Sequence, residues 1–295
     1  MIKPNFLIVG ASKCGTTALY YYLKQHPEIS FPTLKEPKYF SSVNENFPHK
    51  GIGDTSVDKF AIKKFPEYQD LFKGIENKRV GEASPDTIFF HDKTAPLIKK
   101  KLGDIPIIII LRNPIKRAFS AYMYLKRDSR EVLTFREGVD AEENRLKENW
   151  DFIWGYKKCG LYYEQVKTFL TTFTNVKIVF QEELKADTDK ILKEVYSFLD
   201  VDEKFVTDTS VKHNESGVPN NFISKFLLSR NNIISTIIRE ILKKMIPRRI
   251  LEKGASSSLK KIDILEEDII FLKPYFHNDI CNLEQLINKN LSKWK

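Results

Sequence analysis

The stretch FLIVGASKCGTTALYYYL, residues 6–23, decides the fold of this chain. An apolar β-type run, Phe6 to Val9, leads into a short loop from Gly10 to Gly15, and Thr16 and Thr17 then begin a helical pattern. Strand, loop and helix in this order present backbone N–H groups and a helix N-terminus to an anion. The sequence therefore predicts a phosphate-binding loop.

The lysine of this loop stands in an unusual place. A nucleotide hydrolase has the spacing G-x-x-x-x-G-K-[ST], but here Thr16 occupies the lysine position and Lys13 lies within the loop. We therefore interpret the bound anion as something other than the triphosphate of an ATPase. An ATP-dependent kinase or NTPase stays open as an alternative.

A second block, IPIIIILRNPIKRAFSAYMY at residues 105–124, supports this interpretation. The run Ile107 to Leu111 is apolar on both strand faces, as in a central parallel strand. Arg112 follows it, where a Walker-type ATPase places a metal-binding aspartate. Because an arginine repels a cation and can make a bidentate contact with a phosphate monoester, the sequence predicts a nucleotide site without a metal.

Both blocks resemble the sulfotransferase family, whose members use 3′-phosphoadenosine 5′-phosphosulfate (PAPS) as the sulfuryl donor. That family has a lysine within the phosphosulfate loop before G-T-T/S, and a strand, R-[DN]-P turn and helix further on. The resemblance extends more weakly through KEPKYF (35–40), GEASP (81–85), CGLYYEQV (159–166), KHNESGVP (212–219) and residues 272–294. It implies a P-loop-like, three-layer α/β fold with a central parallel β-sheet flanked by helices.

The resemblance also implies roles for individual residues. Lys13 would neutralise the charge that develops on the leaving oxygen, and Arg112 and Ser120 would bind the 3′-phosphate. The whole implied donor site consists of Lys13, Cys14, Gly15, Thr16, Thr17, Arg112, Ser120, Tyr163, His213, Asn214, Ser216 and Gly217. No metal or redox cofactor is expected.

Glu36 is the predicted general base. The block KEPKYF resembles the K-E-x-x-[FY]-F region of glycan sulfotransferases, in which the glutamate removes the proton of the acceptor. A structural ion pair stays open as the alternative role for Glu36. The pattern favours a carbohydrate hydroxyl or amine as the acceptor, with a small alcohol or phenolic metabolite as the alternative. Lys38 departs from relatives that carry histidine there, and Ala83 departs from those with lysine before the Ser/Thr-Pro.

Short β-branched runs alternate with helical patterns, which predicts a parallel sheet covered by helices. We expect one domain over residues 1–295, with a core at about 1–220 and a helical C-terminal part at about 221–295; residues 26–60 are expected to lie irregularly over the sheet edge. The predicted strands are Phe6–Val9, Arg79–Glu82, Ile107–Leu111 and Val176–Phe180, and predicted helices begin near Thr16, Thr94, Ile115, Tyr162, Thr188, Phe222 and Ile264.

Charge and composition narrow the class of partner. The net charge of +9, from 48 Lys and Arg against 39 Asp and Glu, suits an anionic ligand. Residues 231–250 combine helical apolar spacing with basic side chains, which fits either peripheral membrane or partner contact or an ordinary amphipathic helix. A basic nucleic-acid or membrane-binding module is the non-enzymatic alternative, but we expect no nucleic-acid partner.

The cysteines and the N-terminus bear on location. Three cysteines, Cys14, Cys159 and Cys281, are an odd number without zinc spacing, so they predict neither a disulfide framework nor a metal site. No secretory pattern is visible, and no apolar run approaches the roughly 20 residues that span a bilayer. We therefore expect a cytoplasmic protein, and the sequence leaves its oligomeric state open.

Overall fold

A central parallel sheet organises the protein, which is described here from a computed structural model. The structure describes residues 3–43, 45–210, 218–219, 259–260 and 262–295. The strands of the main sheet are β1 (Phe6–Gly10), β2 (Ile29–Ser30), β3 (Arg79–Ala83), β4 (Ile107–Leu111) and β5 (Val176–Phe180). They pair in the order β2-β3-β1-β4-β5, every pair parallel. Together with the flanking helices, this sheet confirms the predicted α/β class.

The helices of the described residues follow in chain order. They are α1 (Thr16–Leu23), α2 (Tyr39–Ser42), α3 (Thr55–Asp58), α4 (Phe65–Asp70), α5 (His91–Leu102), α6 (Pro114–Arg127), α7 (Phe135–Lys147), α8 (Tyr162–Thr172), α9 (Gln181–Ala186), α10 (Thr188–Phe198) and α11 (Glu266–Ile287). A short antiparallel pair joins β6 (Val218–Pro219) to β7 (Leu259–Lys260). Among these helices, none has both the length and the apolar character needed to cross a membrane.

Most predicted element starts agree with the structure to within a few residues. The helices predicted at Thr16, Tyr162 and Thr188 begin at those residues, whereas α5 begins at His91 rather than Thr94. The predicted helix at Phe222 lies outside the described residues. Helix α7 was not predicted, although its N-terminus carries a sequence signal: the Thr134 hydroxyl accepts from the Glu137 N–H, and the Glu137 carboxylate accepts from the Thr134 N–H at 2.8 Å.

The site is expected at the carboxyl edge of the two central strands. All residues of β1 and of β4 are buried, and the two strands are neighbours, so the segments that follow them emerge side by side. Crevices at this edge are where open parallel sheets bind ligands. Gly10 closes β1 with a φ of +150°, and a Cβ there would lie 2.3 Å from Ile88 Cγ2. A glycine is therefore required where the connection after β3 packs against the start of the loop.

The expectation of an irregular segment over the sheet edge is borne out in part. Residues 26–60 contain the edge strand β2 and the short helices α2 and α3. The segment is anchored through Asp54, which is buried and pairs with Arg130. The carboxylate of Asp54 also accepts from Trp154 Nε1 at 3.0 Å and from the Asp151 N–H at 2.9 Å. Such buried, fully bonded contacts hold a loop rigidly over a site.

Candidate active site

The loop from Gly10 to Gly15 has a fixed backbone conformation. Lys13 has a φ of +69° and Gly15 a φ of +105°. A left-handed lysine costs about 1 kcal/mol, which local contacts must offset. Two contacts do so: the Cys14 N–H donates to the Ala11 carbonyl at 3.2 Å, and Arg112 Nη1 donates to the Lys13 carbonyl at 3.2 Å.

Helix α1 presents an uncapped N-terminus directly after this loop. Its first turn has neither a side-chain cap nor an acidic residue, so its first backbone N–H groups are not engaged by a cap. These N–H groups and the positive end of the helix dipole favour an anion. Gly15, Thr16 and Thr17, which were predicted to cradle the phosphate, form this end of the helix.

The Lys13 side chain is half-buried and lies among other cations. Its Nζ sits 4.3 Å from the centre of the Tyr124 ring. Burial, followed by repulsion from Arg127, lowers the pKa of Lys13 to about 7; Arg112 acts in the same direction, and Asp128 and Glu36 oppose it. In the free protein near neutral pH, Lys13 is therefore close to the midpoint of its titration. A bound anion would raise its pKa and draw a proton onto it.

Arg112 has a buried hydrogen-bond donor next to the loop. It follows β4 directly, and its buried Nε has no hydrogen-bond partner among the residues that the structure describes. The Tyr162 hydroxyl donates to the Arg112 carbonyl at 3.0 Å, which fixes the arginine backbone. Burial lowers the pKa of Arg112 from its very high ordinary value. The guanidinium is thus a cation in a low-dielectric environment. Such a group is suited to an anion such as a phosphate.

Ser120 lies about two turns into α6, which begins at Pro114, one residue before the predicted start near Ile115. Its side chain is buried. Its role at the 3′-phosphate stays a prediction.

Cys14 already has partners within the protein. Its N–H bonds Ala11, and its buried Sγ lies 3.5 Å from the Tyr162 hydroxyl. Burial raises the pKa of the Cys14 thiol to about 11, so this cysteine is an inert thiol at neutral pH. Tyr162 was not predicted as a site residue, yet it contacts both Cys14 and Arg112. The contacts of Tyr163 include a bond from its N–H to Asp279 at 3.1 Å and an interaction with Lys167, whose Nζ lies 5.1 Å from the ring centre. Donor contacts by Cys14 and Tyr163 therefore stay predictions.

Glu36 is joined to the phosphate-binding loop through its neighbour Lys35. Lys35 Nζ lies 2.8 Å from Thr17 Oγ1 and 2.6 Å from Glu36 Oε1. The ion pair that stayed open for Glu36 is thus present, but the Glu36 side chain remains 36% exposed and can be reached by an acceptor. Sequence reasoning missed Lys35, although it stands beside Glu36 in the KEPKYF block. The lysine holds the proposed base close to the start of α1.

Comparison with known proteins identifies the family. A family model described as the sulfotransferase domain matches residues 3–229. The chain belongs to the sulfotransferase family. The crystal structure of a sulfotransferase from Alicyclobacillus acidocaldarius is similar to this chain with a TM-score of 0.80 and 33% identity, covering 100% of this chain and 99% of that one. Members of this family are transferases, and the family resemblance of the two sequence blocks is confirmed.

Two curated relatives have names that include a class of acceptor. Human bifunctional heparan sulfate N-deacetylase/N-sulfotransferase 3 is 30% identical over 218 residues, which is 67% of this chain and 22% of that protein. Mouse carbohydrate sulfotransferase 15 is 26% identical over 251 residues, 67% of this chain and 44% of that protein. The chain thus spans less than half the length of these relatives.

Lys38, which departs from the histidine of sulfotransferase relatives, lies in an acidic environment near Glu36. Its Nζ is 3.8 Å from Asp151 Oδ2, and its backbone N–H donates to Ser84 Oγ at 3.0 Å. Burial opposes its charge, but Asp151 and Asp86 outweigh burial and raise the pKa of Lys38 above its ordinary value. Lys38 is therefore a permanent cation beside the proposed base of this sulfotransferase.

Two further carboxyl groups interact electrostatically with Glu36. Glu82 and Asp86 are 2% and 1% exposed. Burial raises the pKa of Glu82 to about 8 and that of Asp86 to about 6. At Asp86, the positive charge of Lys38 opposes this rise. Ser41 Oγ donates to Asp86 Oδ2 at 2.6 Å. Because both carboxyl groups are buried, they can influence Glu36 but cannot touch an acceptor as the structure stands.

One group of side chains has the composition of a metal site. The ligand atoms of His49, Asp58 and Asp151 lie within 4.8 Å of one another. His49 Nδ1 already bonds Asp58 at 2.7 Å, its Nε2 lies 3.3 Å from Glu45, and Asp151 pairs with Lys38. These groups neutralise one another, so we assign no metal to them.

His26 is a buried histidine with partners inside the protein. Its Nε2 lies 3.0 Å from the Asp202 carbonyl, and its Nδ1 accepts from the Glu28 N–H at 3.1 Å, so we assign it a structural role. The other predicted features lie outside the described residues: His213, Asn214, Ser216, Gly217 and the segment 231–250.

Proposed function

We propose that this chain is a sulfotransferase that moves a sulfuryl group from PAPS to a hydroxyl or amine of a carbohydrate. One observation carries the proposal: Lys13, in the loop after β1, is bonded through its carbonyl to Arg112, which follows the adjacent strand β4. The pair offers two cationic positions at neighbouring strand ends. PAPS has two anionic ends, a phosphosulfate and a 3′-phosphate, which these positions suit.

The reaction follows from the charges at the site. An acceptor oxygen or nitrogen forms a bond to sulfur while the bond from sulfur to the bridging oxygen breaks, and the electron pair leaves with the 5′-phosphate. The acceptor proton passes to the Glu36 carboxylate. The Lys13 ammonium and the N–H groups at the start of α1 stabilise the negative charge as it forms on the bridging oxygen. Arg112 and Ser120 hold the 3′-phosphate.

The acceptor class rests on two supports. Glu36 has a partly exposed side chain and belongs to a K-E-x-x-[FY]-F block of the kind found in glycan sulfotransferases. The curated relatives named above act, by their names, on carbohydrates and heparan sulfate. A small alcohol or phenol is the alternative acceptor. We also propose that the protein is cytoplasmic. Transfer from radiolabelled PAPS to a panel of glycans, amino sugars and phenols discriminates between the classes.

Donor binding tests the proposed function without knowledge of the acceptor. We expect the protein to bind 3′-phosphoadenosine 5′-phosphate (PAP), the donor product, in the presence of EDTA, as measured by calorimetry. Arg112→Ala should weaken this binding at least about 30-fold, because it removes a buried cation from a phosphate. Arg136→Ala, a change of an exposed arginine on α7, is the matched control and should bind normally.

Magnesium ATP is the comparison ligand. A preference for magnesium ATP over PAP, or no binding of PAP, would replace the sulfotransferase proposal by the kinase or NTPase alternative. Arg112 standing at the end of β4 argues against that outcome, because it repels the cation that ATP chemistry requires.

PAP affinity is expected to fall as the pH rises. The free protein holds Lys13 with a pKa of about 7, whereas bound phosphate favours its charged form. Above that pKa, binding must take up a proton, so affinity should drop by about tenfold per pH unit between roughly pH 7.5 and 9. Phosphate titrates near pH 6 and so does not contribute in this range. Calorimetry in buffers of different ionisation enthalpy counts the proton; an affinity that is flat with pH would contradict the prediction.

A further inference from the structure

Two cations share the ring of Tyr124. Lys13 Nζ lies 4.3 Å from the ring centre, and the Arg127 guanidinium lies 5.0 Å from it. Both distances are within the roughly 6 Å at which an aromatic ring attracts a cation. Tyr124 is one turn after Ser120 on α6, so the helix that carries a predicted phosphate ligand also carries this ring.

The surroundings of Lys13 otherwise disfavour its ammonium. Arg112 and Arg127 repel the ammonium, whereas Asp128 and Glu36 attract it. Asp128 pairs with Arg127, whose Nε lies 3.0 Å from Asp128 Oδ1, and it acts on Lys13 through its charge. The Tyr124 ring is thus the attractive group in direct contact with the lysine among its described contacts.

An aromatic ring is a suitable partner for a lysine that must later meet an anion. A carboxylate at the same place would hold Lys13 more strongly, but its negative charge would repel the phosphosulfate of the donor. A ring face attracts the ammonium through its quadrupole and carries no net charge. The lysine can therefore be held near the loop at little electrostatic cost to donor binding.

We propose that Tyr124 is a positioning residue for Lys13: its ring face holds the ammonium beside the loop before the donor binds and favours the protonated lysine that sulfuryl transfer needs. This inference rests on the proposed function. It requires the face of the ring, not the hydroxyl group.

The same helix provides a matched control. The Tyr122 ring lies 5.8 Å from Lys126 Nζ, and its hydroxyl donates to the Leu133 carbonyl at 3.2 Å. Loss of this ring removes a tyrosine from α6 without touching Lys13. Any general effect of losing an aromatic residue from the helix should therefore be seen in Tyr122→Leu as well.

The experiment measures PAP affinity as a function of pH for the full chain and its variants. Tyr124→Phe keeps the ring face and should match the wild type. Tyr124→Leu should move the midpoint of the alkaline loss of affinity down by about 0.4 to 1.5 pH units, since the ammonium loses a cation–π contact. Tyr124→Met, which fills the volume with a flexible side chain, should show the same shift if Tyr124→Leu folds poorly. Tyr122→Leu should keep the wild-type midpoint.

Three results would overturn the inference. The first is a wild-type midpoint in both Tyr124→Leu and Tyr124→Met, which would leave the ring with a packing role. The second is a shift in Tyr124→Phe as large as that in Tyr124→Leu, which would assign the effect to the hydroxyl. The third is an equal shift in Tyr122→Leu. Failure of the wild-type protein to bind PAP would instead overturn the proposed function, so the two failures are distinguishable.

Discussion

Glu36→Gln is expected to lower kcat by about 10²- to 10⁴-fold, the usual contribution of a positioned general base. The amide has the same shape as the carboxylate and keeps an oxygen for the bond from Lys35, but it cannot take the acceptor proton. PAP affinity should stay within about twofold of the wild type, because the described hydrogen bonds of Glu36 reach the start of α1 indirectly, through Lys35 and Thr17. Turnover with labelled PAPS and calorimetry with PAP measure the two quantities separately.

Glu67→Gln is the matched control for this change. Glu67 is an exposed glutamate that pairs with Lys64 at 3.5 Å, so its amide should be nearly neutral for turnover. Near-normal kcat in Glu36→Gln would end the base assignment and leave Glu36 as the ion-pair partner of Lys35. Glu82 and Asp86 are poor substitutes in that case, since both are buried and would need a structural opening to reach an acceptor.

The central strands could be predicted because the pattern of their residues indicates a strand. Ile107–Leu111 and Val176–Phe180 are strands with the predicted bounds, and each is a short β-branched run between turn signals. The phosphate-binding loop was equally clear, because glycines and a lysine of fixed spacing follow a strand that is buried throughout. Local sequence thus determined the elements that hold the site, and Lys13 and Arg112 do meet across the sheet edge.

The rest of the site depends on contacts between distant parts of the chain. Tyr124 contacts Lys13 only because α6 packs beside the loop after β1, and no sequence spacing encodes that contact. Tyr162 was not predicted as a site residue, because its contact with Arg112 joins residues that lie 50 positions apart in the chain. Lys38 was seen as a departure from the family histidine, but its pairing with Asp151 requires the fold.

Lys13→Ala is expected to lower kcat by about 10²- to 10³-fold, the usual cost of removing one group that stabilises charge in the transition state. The charge on the bridging oxygen grows only as the bond to sulfur breaks, so the loss should fall mainly on kcat. PAP affinity should weaken less, and least at high pH, because Lys13 is largely neutral in the free protein above its pKa of about 7. Turnover assays with labelled PAPS measure kcat, and calorimetry measures PAP affinity.

The same variant also tests where the binding proton goes. If Lys13 takes it up, Lys13→Ala should abolish the alkaline loss of PAP affinity, whereas Lys24→Ala should keep it, since Lys24 is an exposed lysine at the end of α1. A variant that lost turnover but kept the wild-type pH dependence would assign the proton to another group. The role of Lys13 in charge stabilisation would then stand, but its titration, and with it the function assigned to the Tyr124 ring, would not.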